Sequence, residues 1–388
     1  MDTTYLFDDM RAWRHDFHRH PELGFEEVRT SATVACLLTD FGLEVHNSVG
    51  QTGVVGVLQR GNGTRSIGLR ADMDALPITE TGQPDYVSQT PGVMHACGHD
   101  GHTAMLLGAA RHLADTGDFD GRVVFVFQPN EEHGQGAQAM LADGLLDRFD
   151  VDAVFGIHNM PGLPVGHVAT RAGPMTAAES LFEIEIYAQG GHAALPHMGV
   201  DAIMVGAQMV NALQTIVSRK VDPGLNGVVS VTEFETDGAR NVLPGRATLR
   251  GDARALTPAV NDTIRTRMTE IVQGIAAAHG VHAEVRYDTI FPPTINAPGA
   301  VAAVADAAGS LFEPEAIDSA CQPKLFSEDF AHLADARPGC FLLLGNGQEG
   351  AHARPLHSSD YDFNDAALVP GSSFWVRLVE QQLAKGTG

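Results

Sequence analysis

Apolar and polar residues follow two different rhythms along this chain, and the change of rhythm divides it. From the start to about residue 180, short apolar runs of strand length alternate with stretches at helical spacing. That is the pattern of an α/β domain with a mostly parallel sheet. The runs that read as strands are 53–58, 66–71, 122–128 and 152–157. The last three lead straight into polar residues: Asp72-Met73-Asp74, Glu131-Glu132 and His158. In open α/β sheets ligands bind beyond the carboxyl ends of the strands, so this placement marks those residues as candidates for a site.

From residue 181 the order of elements changes. Residues 181–188 alternate as a strand, and 201–220 are apolar at helical spacing. Residues 227–235 and 246–253 read as strands, 260–279 as a helix and 282–290 as a strand. The order β-α-β-β-α-β is that of a ferredoxin-like split unit, large enough to fold as a domain. Pro292-Pro293 marks the return to the first domain, and the apolar run 339–345 is short enough for a buried strand. The expected organisation is a catalytic domain built from 1–180 and 292–388, with 181–291 inserted as a lid and dimerisation domain. The connections near 180 and 291 are hinge candidates. Residues 365–384 carry a helical pattern without a chemical signal.

Composition narrows the function classes. A chain of 388 residues exceeds the size at which one core keeps growing, which favours two domains. Its 25 basic and 48 acidic residues give a net charge of −23 and no basic patch, which speaks against nucleic acid and anionic membrane as partners. No apolar run reaches the length of a membrane span. Cys36, Cys97, Cys321 and Cys340 are widely spread, and the first residues lack the basic and apolar regions of a signal peptide. A soluble, cytoplasmic protein with reduced thiols is expected.

The densest chemistry lies at 94–102, M-H-A-C-G-H-D-G-H, where a thiol, three imidazoles and a carboxylate fall within nine residues. A single His or Cys is usually a satisfied interior residue. A cluster is what a metal site requires, and thiolate with neutral imidazole suits borderline-soft divalent ions. Glu131 and Glu132 follow a strand, and adjacent side chains there face different ways, so one can bind metal while the other faces substrate. His158 ends the next strand, and His357 comes from the last segment. With Cys97, His99 and Glu132 these make five ligands, enough for two ions sharing a bridging group.

These motifs carry a resemblance. The chain is similar to the hippurate hydrolase and N-acyl-amino-acid amidohydrolase branch of the aminoacylase-like metallopeptidases, which includes plant hydrolases of auxin conjugates. The resemblance spans nearly the whole length. It rests on H-R-H-P-E-L-G-F-E-E (18–27), L-R-A-D-M-D-A-L-P-I (69–78), H-A-C-G-H-D-G-H (95–102) and Q-P-N-E-E (128–132). It continues through G-I-H-N-M-P (156–161), G-G-H-A-A-L-P-H (190–197), N-V-L-P (241–244), S-E-D-F (327–330) and L-H-S-S (356–359).

The resemblance implies a binuclear site on Cys97, His99, Glu132, His158 and His357, holding two divalent ions per subunit of the Zn, Mn, Co or Ni kind. Glu131 would be the general base. His192 would be a lid histidine that stabilises the oxyanion, in its own subunit or its partner's, and Asn241 a substrate contact. Asp72 and Asp74 would orient ligands, with His95 and His102 in support. Asn130 and His133 stand where that family often has small residues, which bears on specificity.

The reaction so implied is hydrolysis of the amide of a small-molecule N-acyl amino acid, by a homodimer or higher homo-oligomer formed through the lid. A carboxypeptidase or dipeptidase performs the same chemistry on a different acyl group. A binding protein that has lost catalysis would be expected to lack one of these ligands or Glu131. A structural zinc domain would be expected to show paired cysteines, and none are paired here.

Overall fold

The computed structural model describes residues 2–385. Contacts divide them into two compact units. The first comprises the chain up to Met175, Ile295–Gln322 and the chain from Asp329 onward; the second comprises Thr176–Thr294 and Pro323–Glu328.

In the first unit the chain runs through α1 (Phe7–Arg19), α2 (Val28–Asp40), β1 (Glu44–Val49), β2 (Gly53–Arg60), β3 (Ser66–Asp72) and α3 (His99–Thr116). It continues through β4 (Gly121–Gln128), α4 (Gly136–Ala142), α5 (Leu145–Arg148), β5 (Ala153–Pro161), β6 (Val168–Ala169) and β7 (Gly173–Thr176). The second unit holds β8 (Ala178–Tyr187), β9 (Gly191–His192), α6 (Ala202–Lys220), β10 (Gly227–Thr236), β11 (Val242–Leu243), β12 (Arg246–Ala255), α7 (Pro258–His279) and β13 (His282–Phe291). After β14 (Thr294–Asn296), the first unit resumes with α8 (Pro298–Gly309), β15 (Ile317–Asp318), α9 (Phe330–Ala336), β16 (Gly339–Gly347) and α10 (Leu368–Gln382).

The large sheet has the order β1-β2-β4-β3-β5-β16-β6-β15. Its centre is parallel: β3 pairs with β4 and β5, and β5 with β16. Antiparallel pairing is confined to β1 with β2, β2 with β4, and β16 with β6. The fold is thus mixed α/β with a mostly parallel core sheet. Register sets Asp72 beside Gln128, and β5 runs parallel at the same level, so the carboxyl ends of β3, β4 and β5 share one edge.

The five strands named from the sequence in this unit are all present, all but β4 running slightly further at their carboxyl ends. β3 is buried along its whole length, as a central parallel strand should be. Helix α3 is buried on nearly every side, which its Ala- and Leu-rich sequence allows, and packs against α1 and α10.

The second unit has a four-stranded antiparallel sheet in the order β10-β12-β8-β13. One face carries Phe182, Ile184, Ile186, Ala247 and Leu249 into a core closed by α6 and α7. Thr257 caps α7 by accepting from Val260 N–H, Pro258 opens the helix, and Gly280 ends it at φ +66. The opposite face is an ionic ladder in which Glu183 and Glu185 pair with Arg246, Arg250 and Arg286 across strands. No helix among the described residues is long and apolar enough to cross a membrane.

Candidate metal centre

The loop from β3 to α3 closes on Cys97-Gly98-His99. Gly98 adopts φ +91 and caps α3. A Cβ there would lie 2.3 Å from Asn159 Oδ1 and 2.7 Å from the Tyr361 hydroxyl, so only glycine lets the chain turn this close to β5. His99 thereby becomes the first residue of the helix, with Cys97 just outside it.

Two imidazoles are oriented by main-chain oxygens. His99 Nδ1 lies 2.9 Å from Asp74 O, and His158 Nδ1 lies 2.7 Å from Asn159 O. A carbonyl only accepts, so each ring carries its hydrogen on Nδ1 and in the neutral form shows a lone pair at Nε2. His158 Nε2 stands 3.3 Å from Cys97 Sγ. His99 Nε2 and Glu132 Oε1 are both buried without a hydrogen-bond partner, 3.9 Å apart. His357 Nε2 is 3.5 Å from Glu132 Oε2, on a residue held at φ +66.

Ligand atoms of Cys97, His99 and His158 lie within 4.8 Å of one another, as do those of Cys97, Glu132 and His357. The two sets share Cys97. A group made of His99, Glu131 and Glu132 meets the same limit.

Burial by itself depresses the His99 imidazole, but Asp72, Asp74 and Glu132 outweigh it and push the pKa up to about 10. Burial, with His102 nearby, holds His158 well below the usual imidazole value. A proton on His99 Nε2 would have no acceptor closer than Asp72 Oδ2 at 3.8 Å. The anionic pocket therefore asks for positive charge at a place where a proton makes no good hydrogen bond. A divalent cation fits that demand, and sulfur, imidazole and carboxylate are the donors such ions take.

Behind these groups lies a buried polar network. Asp72 Oδ1 lies 2.6 Å from His102 Nδ1, and Asp72 Oδ2 accepts from Arg70 Nη1 at 2.6 Å. His102 Nε2 is 2.7 Å from Asn159 Oδ1, and Asn159 donates to the Tyr361 hydroxyl. Asp74 Oδ2 accepts the Glu132 N–H at 3.0 Å, fixing the main chain at that residue. His95 is buried with neither ring nitrogen bonded, and burial lowers its pKa to about 4, so it is neutral.

Arg70, Asn159, Tyr361 and Asp329 have no assigned role in the sequence reading. Arg70 left a signal: a lone charge in a strand otherwise written for full burial demands a buried partner.

A second network stands beside the first. His18, buried, lies 2.9 Å from Asp100 Oδ2 and 3.2 Å from Glu80 Oε1. Arg14 reaches Asp100 at 3.5 Å, Asp362 at 3.2 Å and Asp365 at 2.7 Å, with its guanidinium over the Tyr86 ring. Asp100 follows His99 directly, so these ion pairs clamp the first turn of α3.

His192 and Asn241 belong to the second unit, where β9 pairs with β11 and Ala193 N–H donates to Asn241 O at 3.1 Å. Both residues are exposed. His192 Nδ1 accepts from Ala194 N–H at 3.0 Å, so in the neutral ring the hydrogen sits on Nε2, ready to donate outward.

A family model described as peptidase family M20/M25/M40 matches residues 68–381. The chain belongs to this family. Among relatives of this M20 family chain, the hippurate hydrolase of Campylobacter jejuni is 40% identical over 370 residues, covering 95% of each chain. Thermostable carboxypeptidase 2 of Saccharolobus solfataricus is 36% identical, covering 92% of this chain and 91% of its own. The crystal structure of the Bacillus subtilis YXEP protein, described as a dinuclear metal binding peptidase from the M20 family, superposes with a TM-score of 0.85. It is 30% identical and covers 98% of this chain and 99% of its own.

Proposed function

We propose that this M20 family enzyme hydrolyses the amide bond of N-acyl amino acids, releasing a carboxylic acid and a free amino acid. One observation carries the reading. Two imidazoles with lone pairs fixed at Nε2, the Cys97 sulfur and the Glu132 carboxylate converge beside a second buried carboxylate, Glu131. Likeness to a hippurate hydrolase over nearly the whole chain supports the substrate class.

The proposed ligands are Cys97, His99, Glu132, His158 and His357, for two divalent ions per subunit of the Zn, Mn, Co or Ni kind. When bound, such ions supply a water of lowered pKa and polarise a carbonyl oxygen. Glu131 accepts the proton of the attacking water and returns it to the nitrogen of the departing amine. Its burial, 5% exposed, keeps bulk water from competing for that proton. Asp74 and Asn159 hold His99 and His158 in the tautomer the ligand role needs. His192 donates from Nε2 to the developing oxyanion, and Asn241 contacts substrate. The proposal includes a cytoplasmic homodimer or higher homo-oligomer formed through the second unit.

A carboxypeptidase is the second reading, favoured by likeness to the archaeal thermostable carboxypeptidase. The deciding experiment is hydrolysis of benzoylglycine and acetyl amino acids against a dipeptide panel, on chelated and metal-refilled protein. Faster turnover of the acyl amino acids, abolished by chelation and restored by metal, is expected. Faster turnover of dipeptides favours the second reading, and activity indifferent to chelation removes both. Sedimentation at high concentration tests the oligomer, which a monomer would exclude.

A further inference from the structure

We propose that Asp329 is a positioning residue for Glu131, acting as a staple across the loop that carries it. The inference rests on the reading of Glu131 as the base. The segment between β4 and α4 leaves the sheet at Gln128, passes through Glu131 and Glu132 and re-enters regular structure at Gly136. It folds back on itself: Gly136 N–H donates to Asn130 O at 3.1 Å and Gly134 N–H to Glu131 O at 2.7 Å. A Cβ on Gly136 would come within 1.6 Å of Pro129 O, so the two ends of the loop are pressed together.

Asp329, fully buried, grips this loop at three points. Oδ1 accepts from Gln128 Nε2 at 2.7 Å where the loop begins. Oδ2 accepts from Ala137 N–H at 2.9 Å where it ends. Between them, Asp329 N–H donates to Glu131 Oε1 at 3.4 Å. The charge is balanced by Arg70, whose Nη2 donates to Asp329 Oδ1 at 3.0 Å while Nη1 holds Asp72 and Nε holds Gln128 Oε1. One buried guanidinium thus joins the carboxylate behind His102 to the carboxylate behind Glu131.

An asparagine at 329 cannot reproduce the staple. It accepts on one side only, so its NH₂ would face either the Ala137 N–H or the Gln128 and Arg70 donors, leaving a buried donor unpaired. The loop would loosen at one end, and Glu131 would lose the geometry that proton transfer requires. A misplacement of about 1 Å costs on the order of 100-fold in rate.

The test compares wild type, Asp329→Asn, Gln128→Met and Glu131→Gln as metal-loaded full chains. Steady-state kinetics, bound metal and amide hydrogen exchange are measured on each. Asp329→Asn is expected to lower kcat roughly 10- to 100-fold while KM stays within about threefold. Metal content should hold, and exchange protection should fall only in peptides covering 129–137. Gln128→Met removes one grip and with it the acceptor of Arg70 Nε, but leaves the Arg70 Nη2–Asp329 Oδ1 contact and the Ala137 grip in place, so it should lose less, in the same direction. It serves alone if Asp329→Asn does not fold.

Wild-type kcat in the folded variants overturns the proposal, and so does a loss of protection spread through the whole first unit, which would mark a merely structural role. If Glu131→Gln remains active, the base reading itself has failed. If Glu131→Gln is inactive and Asp329→Asn is not, only the staple has failed.

Discussion

His99 gives its Nδ1 hydrogen to the main-chain oxygen of Asp74, 2.9 Å away, and so turns Nε2, a lone pair in the neutral ring, toward Glu132. The same Asp74 accepts the Glu132 N–H through its side chain at 3.0 Å. One residue just past the carboxyl end of β3 therefore sets the direction of two candidate ligands from different segments.

Glu131→Gln keeps the shape of the side chain and removes its capacity to take a proton. Turnover should fall by about 10²- to 10⁴-fold with metal content unchanged. Initial rates together with elemental analysis check both halves, and wild-type rates would rule the role out.

Cys97→Ser exchanges a thiolate for a poor ligand in both candidate sets at once. Outer partners of metal ligands already cost about 10- to 100-fold in affinity when changed, and a direct ligand should cost at least that. Competition with a chelator reads the change. Undiminished occupancy would show that sulfur holds no ion.

His192→Ala removes the proposed Nε2–H donor from an exposed position on the short strand β9. A drop in kcat of about 10²- to 10³-fold is expected, with little change in stability or bound metal. Loss confined to KM would instead make His192 a binding residue.

Arg14→Met should destabilise the fold by about 3–5 kcal/mol, because Asp100 is left buried beside His99 with less compensating charge. Urea titration measures this. A change below about 1 kcal/mol, the size of a surface ion pair, would mean that His18 alone satisfies Asp100.

Stability should fall between neutral and alkaline pH because of His18. Burial opposes its charge, but hydrogen bonds to Asp100 and Glu80 outweigh burial and raise its pKa to about 9. The unfolded chain releases that proton near pH 6.5. The contribution is therefore complete below about pH 6.5 and lost as pH rises through about 9. Unfolding midpoints of wild type and His18→Gln should be furthest apart near pH 6 and converge by pH 9.5. A gap that stays constant with pH would refute the charged pair.

The sequence alone determined the mixed α/β class and the positions of the longer strands, though not of β1 or the short strands, because alternation and apolar runs report burial of a residue whatever its neighbours prove to be. It also displayed the unusual donors Cys97, His99, His158 and the Glu131-Glu132 pair, since few structural roles need such residues at strand ends. What it could not display were contacts made across long separations. Arg70 meets Asp329 across 259 residues, and Arg14 meets Asp362 across 348. Nor did it give the carbonyls that choose each imidazole's tautomer, or the Asn159 and Tyr361 oxygens that crowd Gly98. The physical reason is that a buried charge records only that it must be paired. Which partner meets it depends on how the parallel strands register and on which loops the core then brings to their shared edge.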